Sequence, residues 1–169
     1  MLVEETEVYR DWINSLTDLA ARARIQVRVD RLVHGNPGTH RHLTVGVSEL
    51  KIDIARNYEE QAIMPKPAAA KKTTRTKTIP YDVAAQLRTP KEMAAYLDAW
   101  LADAPDDAAG IARALGDIAR AKGMTQVAKD AGMSRESLYK ALSAEGNPSF
   151  ATVLKVARAL GVKLHATAA

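Results

Sequence analysis

Cysteine is absent from all 169 residues of the chain. This absence excludes disulfides, thiolate metal ligands and cysteine nucleophiles. Aromatic residues are also scarce, at 5% of the chain with a single phenylalanine, whereas alanine and leucine are plentiful. Few aromatics and many alanines favour small helical units over a large sheet, because alanine is the strongest helix former and strands prefer aromatic and β-branched residues.

Long apolar runs are missing as well. No stretch approaches the roughly 20 consecutive apolar residues that a membrane-spanning helix needs. The first residues, MLVEETEVYRDW, are acidic where a secretory signal would be basic and then apolar. The sequence therefore predicts a cytoplasmic protein with no membrane partner.

The net charge of +4 is unevenly distributed along the chain. Residues 1–63 carry eight basic and ten acidic side chains, and residues 80–169 carry eleven and ten. Between them, residues 64–79 carry five basic side chains and no acidic one. This middle stretch has two prolines and no large apolar cluster, so it cannot bury enough surface to fold alone. We interpret it as a basic linker between two domains, either a solvated tether or a segment that contacts phosphate.

Residues 1–63 predict a small α+β domain. Apolar residues at helical spacing indicate one helix through Tyr9 and Leu16, and a second that stops at the turn cluster Gly35–Gly38. Alternating runs at Leu43–Val45 and Leu50–Ile54 then indicate two strands. Four arginines at helical spacing in the second helix are interpreted as a solvated face: Arg22, Arg24, Arg28 and Arg31.

Residues 80–169 predict five helices and hence a mainly α fold, a five-helix bundle. The first helix begins at Pro90 with Thr89 as its N-cap. A glycine or a Gly-Asn-Pro cluster follows each later helix. Those helices are expected at Ala108–Ala121, Thr125–Ala131, Arg135–Ser143 and Phe150–Leu160. The residues after Gly161 could add a short strand that pairs across a dimer.

The stretch from Thr125 to Leu142 has the pattern of a helix-turn-helix. Two helices that cross steeply need a small side chain at the crossing, which Ala128 supplies, and a turn residue tolerant of positive φ, which Gly132 supplies. Ser134 is the expected N-cap of the second helix, and Leu138 is its expected inward side chain. The alternative is an unrelated helical hairpin with a glycine turn.

A helix-turn-helix places the start of its second helix in the major groove of double-stranded operator DNA. Arg135 is the best candidate for a bidentate guanine contact, and Lys140 and Gln126 for phosphate contacts. A simpler possibility is that Arg135 only pairs with a nearby acid such as Asp130. The predicted DNA-binding residues are Thr125, Gln126, Ser134, Arg135, Glu136, Ser137, Tyr139 and Lys140.

The C-terminal sequence resembles a known family. The run SRESLYKALS followed by GNPSF is similar to HigA-type addiction module antidote proteins, and the resemblance covers about Pro80–Leu164. It implies a nucleoid-associated antitoxin that neutralises a HigB-like toxin and represses its own operon as a homodimer.

The N-terminal sequence resembles part of a second family. The run from Tyr9 to Asp53 is similar to the start of HigB-type toxins of the RelE-like superfamily, which cleave mRNA on the ribosome. The Tyr-Arg strand, the following apolar strand and the Gly-Asp-Lys motif of that family are missing, and Ile54 runs directly into the tail-like ARNYEEQA. We infer an internal deletion in the toxin and an in-frame fusion to the antitoxin.

From these resemblances we predict that the protein is a repressor of the antitoxin type, that it carries an inactive toxin remnant and that it needs no cofactor. A masked ribosome-dependent mRNA endoribonuclease and a toxin-sequestering interaction module remain alternatives. RNA cleavage needs basic groups near the reacting phosphate, and the candidates are Arg22, Arg24, Arg28, His40, His42 and Lys51. His40 and His42 would share one face of a strand, but without a third ligand they make a weak metal site. We therefore predict no catalytic residue and no metal.

Overall fold

The computed structural model describes residues 3–36, 38–44, 47–50, 52, 77–143 and 145–166. The chain divides into two compact units, Met1–Asp82 and Val83–Ala169. The described residues are mainly helical, with two small two-stranded sheets, so the predicted mainly α class is confirmed.

Two helices of the N-terminal unit lie where the apolar pattern predicts them. Helix α1 spans Glu7–Ser15 and helix α2 spans Leu19–Val33. Side chains cap both: the Thr6 hydroxyl accepts a hydrogen bond from the Tyr9 N–H at 3.1 Å, and the Asp18 carboxylate accepts from the N–H groups of Ala20 and Ala21. Each cap satisfies N–H groups that have no partner within their own helix.

The two sheets of this unit differ from the prediction in one respect. Strands β2, His40–Thr44, and β3, Val47–Leu50, form an antiparallel hairpin with an irregular register between His42 and Thr44. The second strand therefore ends at Leu50, where the prediction had it begin, and Ile52 lies outside it. The predicted strand positions Val45 and Ile54 lie outside the described residues.

The other sheet joins the two ends of the N-terminal unit. Strand β1, Glu4–Thr6, pairs antiparallel with strand β4, Thr78–Pro80. Thr78 and Ile79 fall within the segment predicted to be a linker, and the pairing joins Glu4 to Pro80 in register. Local sequence patterns do not indicate this sheet, since three-residue strands so far apart leave no periodicity to read.

The interpretation of the α2 arginines as a solvated face is wrong for two of them. Arg22 is only 3% exposed and Arg28 9% exposed, whereas Arg24 is half-buried. Arg22 donates to the Asn14 side chain at 3.1 Å, and Arg28 donates to the Thr39 carbonyl at 3.2 Å. Helix α2 is buried around most of its circumference, so helical spacing alone could not tell which side faces water.

The C-terminal unit contains a short 3-10 helix at Val83–Gln86 and five α-helices among its described residues. The helices are α3 (Pro90–Asp103), α4 (Ala108–Lys122), α5 (Met124–Asp130), α6 (Arg135–Ala141) and α7 (Phe150–Leu160). Helix α7 has the predicted bounds, and the other four differ from the predicted helices by at most a few residues at their ends.

Helix α4 is the element against which the others pack. It contacts α3, α5, α7 and the 3-10 helix. Trp100 and Tyr96 of α3 are completely buried, as are Leu115 and Ile118 of α4 to within 1%. Thr89 and Glu92 form the full capping box at the start of α3, which confirms the predicted cap.

The turn between α5 and α6 requires glycine for its backbone conformation. Gly132 has a φ of 67°, its N–H donates to the Lys129 carbonyl, and the Met133 N–H donates to the Ala128 carbonyl at 2.9 Å. These two hydrogen bonds end α5 in a Schellman motif. A Cβ on Gly132 would meet no atom within 4 Å, so the need is for left-handed backbone and not for space.

We expect Gly132→Ala to destabilise the chain by about 1–2 kcal/mol, the cost of a left-handed conformation for an L-residue. Gly132→Asn should lose less stability, because asparagine adopts the left-handed backbone conformation more readily than alanine does. Urea unfolding followed by circular dichroism measures both, with the exposed Lys129→Ala as a control that should change stability by under about 0.5 kcal/mol. Equal losses for alanine and asparagine would contradict the backbone explanation.

Candidate nucleic-acid interface

Helix α6 is anchored on one side and exposed on the others. The Ser134 hydroxyl accepts from the Ser137 N–H at 3.0 Å and so caps the helix, as predicted. Leu138 is completely buried and Leu142, just after the helix, is 5% exposed. All of the other residues of α6 are exposed, apart from the half-buried Ala141. The helix therefore presents most of its polar side chains to solvent.

A shallow depression lies between the starts of α5 and α6. It has a volume of about 590 Å³ and is open to solvent. Four of the predicted DNA-binding residues line it, together with three others. The lining residues are Arg120, Gly123, Met124, Thr125, Gln126, Arg135 and Tyr139.

Arg135 lies on the ring of Tyr139. Its guanidinium carbon is 5.4 Å from the ring centroid, and one of its terminal nitrogens is 3.5 Å from the tyrosine hydroxyl. This cation–π contact orients the guanidinium along the exposed side of α6. Asp130 accepts from the Gln126 amide at 2.7 Å. Arg135 thus takes Tyr139, and not Asp130, as its partner.

The remaining predicted residues divide into two groups. Glu136, Ser137 and Lys140 are exposed on α6 but do not line the depression. Ser134 is also exposed, but its hydroxyl is occupied by the cap and by the Ser137 hydroxyl at 2.8 Å. The structure therefore brings Thr125, Gln126, Arg135 and Tyr139 together around one concavity.

Arg120 is a residue of this surface that the sequence analysis missed. It lies near the end of α4, is exposed, and pairs with the Asp117 carboxylate at 2.6 Å. Arg120 lies three residues before Gly123, the glycine that separates α4 from α5. The last turn of α4 is therefore close to the start of α5, and this proximity could have identified Arg120 from the sequence. Two arginines therefore line the depression, and one of them is paired with an aspartate.

The basic and histidine candidates of the N-terminal unit do not form a comparable surface. Arg22 and Arg28 are buried, and Lys51 lies outside the described residues. The His40 and His42 rings do share a face, with centroids 5.2 Å apart in an edge-to-face contact. Among the described residues no group of three or more histidine, aspartate or glutamate side chains is placed to hold a metal ion.

Tyr9 of α1 has a buried phenol that contacts the Trp12 and Tyr81 rings. Burial raises the pKa of this phenol far above its usual range, the nearby Glu5 carboxylate raises it further, and Arg22 opposes them. Its hydroxyl is therefore protonated at neutral pH. None of the helices within the described ranges is long and apolar enough to cross a bilayer.

The region that contains the depression matches a known family. A family model described as "Probable addiction module antidote protein" matches residues 77–168, more than half of the chain. The chain belongs to this family. We call residues 77–168 the antidote region.

Two relatives from Haemophilus influenzae are similar to parts of the chain. One, described as an uncharacterized protein, is 53% identical over 85 residues, which are 50% of this chain and 86% of the relative. The other, with the same description, is 34% identical over 56 residues, which are 33% of this chain and 57% of the relative. No solved structure matches the chain.

In the antidote region, we expect Ser134→Ala to lower stability by about 1 kcal/mol, since the N–H groups at the start of α6 lose their cap. Ser137→Ala is the matched control: it removes a hydroxyl from the same exposed turn without removing the cap, and alanine is the better helix former. Urea unfolding of both variants compares them. A Ser137→Ala loss as large as that of Ser134→Ala would contradict the assignment of Ser134 as the cap.

Proposed function

We propose that this protein is a DNA-binding repressor of the antitoxin type in a toxin–antitoxin module. The observation that carries the proposal is the surface of α5 and α6. Eight residues predicted from the sequence to contact DNA are all exposed there, and four of them surround one depression. We infer that α5 and α6 form a helix-turn-helix, with α6 as the recognition helix in the major groove.

Each side chain has a role that its chemistry suits. Arg135, oriented by Tyr139, donates to the two acceptors of a guanine in the major groove. Lys140 and Arg120 meet phosphates, for which Arg120 exchanges its ion pair with Asp117, and Thr125 and Gln126 hold the DNA backbone at the start of α5. Gln126 must exchange its hydrogen bond with Asp130 for one to phosphate, which costs little at an exposed site.

The N-terminal unit fits an inactive remnant of a RelE-like toxin better than a masked ribonuclease. A cationic group that stabilises a phosphorane must reach the substrate, and burial withdraws Arg22 and Arg28 from it. The described residues before position 53 hold two helices, one hairpin and the short strand β1, which agrees with the small sheet expected after an internal deletion. Ribosome-dependent mRNA cleavage by the purified chain would contradict this part of the proposal.

A second candidate function is supported by the family itself. An antidote implies a toxin partner, so the chain could act by sequestering a HigB-like toxin with no role at DNA. The two functions are separable, because the exposed arginines and lysine of the depression and of α6 matter only for the first. A gel shift with the DNA upstream of the protein's own coding sequence distinguishes them.

We expect Arg135→Ala to weaken binding to that upstream DNA by roughly 1–3 kcal/mol and to relax the preference at one base pair. Lys140→Ala should instead weaken binding to specific and random DNA alike, and reduce the slope of log K against log salt by about one unit. Fluorescence anisotropy at two salt concentrations, with operator and random duplexes, measures both effects.

The control for these variants is Lys91→Ala, which removes the same charge from an exposed position on α3. It should leave the preference for the upstream DNA unchanged. If Arg135→Ala keeps the full preference of the unmodified protein, α6 does not read bases and the proposed recognition surface is wrong.

We also propose a homodimer formed through the C-terminal unit, because two half-sites about one helical turn apart give dimers their affinity and register. Phe150 and Leu154 of α7 are 73% and 44% exposed and lie one turn apart, which supplies an apolar surface for a second copy. Light scattering at micromolar concentration should give twice the mass of one chain.

Phe150→Asp should convert that dimer to a monomer, since a charge buried in an interface is strongly unfavourable. Val8→Asp is the matched control: Val8 is also apolar, is 69% exposed, and lies in the other unit. A dimer that survives Phe150→Asp would show that another surface joins the copies.

A further inference from the structure

The family match and the compact units of the fold begin and end at different residues. The match starts at Lys77, whereas the N-terminal unit continues to Asp82. The first six residues of the antidote region therefore fold with the N-terminal unit. We call residues 77–82 the docking strand; they contain β4 and the two residues that follow it.

Backbone hydrogen bonds hold the docking strand to β1. The Tyr81 N–H donates to the Val3 carbonyl at 2.9 Å, so these residues form a hydrogen-bonded pair of the antiparallel ladder. Because such pairs alternate with non-bonded ones, Ile79 opposite Glu5 is the next bonded pair. Pro80 lies opposite Glu4 in the non-bonded position between them. A proline there loses no ladder bond.

Side chains add to this pairing on both faces. The Thr78 hydroxyl donates to the Glu4 carboxylate at 2.6 Å, across 74 residues of sequence. The Tyr81 ring meets the Tyr9 ring edge to face with centroids 6.5 Å apart, and Tyr9 in turn contacts Trp12 at 5.9 Å. Glu5, in the middle of β1, is buried and paired with Arg10 at 3.0 Å.

The charges of the two segments also favour the pairing of the docking strand with β1. Strand β1 and the residue after it read Glu-Glu-Thr-Glu, whereas residues 64–79 contain five basic residues and no acidic one. The two segments therefore carry net charges of opposite sign, which favours their association.

We propose that the docking strand is the element through which the antidote region binds the N-terminal unit of its own chain, by adding a strand to the edge of β1. The surface it fits is an acidic edge strand followed at once by a helix with aromatic residues on the adjoining face. The occupied edge is also withdrawn from pairing with other chains. This inference rests on membership of the antidote family but not on DNA binding, so operator binding can fail without affecting it.

The first experiment is disulfide trapping in the full chain, which has no cysteine of its own. In E4C/P80C the two thiols face each other at a non-bonded pair. Their Cα separation of about 4.5 Å suits a disulfide. Oxidised glutathione takes up the two hydrogens and is reduced to two molecules of glutathione. Non-reducing electrophoresis and a thiol count should show an intrachain disulfide.

The matched control is E4C/I79C, which places the second thiol one residue away on the opposite face of the docking strand. It should oxidise at least about tenfold more slowly. Equal rates in the two variants, or a disulfide that joins two chains in E4C/P80C, would overturn the proposal that the docking strand pairs with β1 of its own chain.

The second experiment tests whether the pairing holds the two parts together. A protease site is placed within residues 64–76 of the full chain, which is cut after purification and passed over a sizing column at high micromolar concentration. The two fragments should elute together. With Ile79→Pro, which removes the N–H donated to β1, they should separate.

Ile79→Ala is the matched control, because it also replaces the Ile79 side chain, which is 36% exposed, but keeps the N–H donated to β1. Its fragments should still elute together. Fragments of the unmodified sequence that separate at once would overturn the proposal, as would Ile79→Pro fragments that remain together through some other surface.

Discussion

The C-terminal unit depends on the close approach of helices through small side chains. Helix α4 buries Ala112, Ala114 and Ala119, and α5 buries Ala128. A Cβ on Gly116 of α4 would lie 3.1 Å from the Leu142 carbonyl oxygen, and one on Gly110 would collide with the Trp100 ring. Interiors are packed to near-crystalline density. Short helices around α4 can therefore form one core although the chain has few aromatic residues.

This packing decides which surface of α6 is available to a ligand. The helix is short and holds to the core through Leu138, with Leu142 just beyond its end. A helix anchored along a single line leaves its remaining circumference to solvent, and α6 has polar or charged residues there. The Schellman turn at Gly132 and the Ser134 cap define where the helix begins, and so where Arg135 stands relative to Thr125 and Gln126. Such a site needs few buried side chains, but it needs the exposed side chains to be held in fixed relative positions.

The N-terminal unit differs from the C-terminal unit because it buries several charged side chains. Glu5, Arg22, Arg28 and Asp30 are all at most 9% exposed. Buried charges must find partners, because desolvation is expensive. Glu5 pairs with Arg10, and Arg28 reaches the Thr39 carbonyl. The docking strand completes this unit with chain from well beyond its first fifty residues.

The sequence by itself determined most of the helices and the content of the candidate interface. Caps such as Thr89 and Ser134 and stops such as Gly132 and Gly161 act over three or four residues, so their patterns can be read locally. Helix geometry is also local. Once Leu138 is known to point inward, it follows that Arg135, Tyr139 and Lys140 are exposed.

Only the tertiary structure decided the remaining features. Helical spacing places Arg22 and Arg28 on a helix but does not say how many sides of that helix are covered. The pairing of β1 with β4 joins residues more than seventy positions apart, and Arg120 reaches the depression from a different helix. These features depend on which elements meet in space, and non-local contacts leave no periodic trace in the sequence.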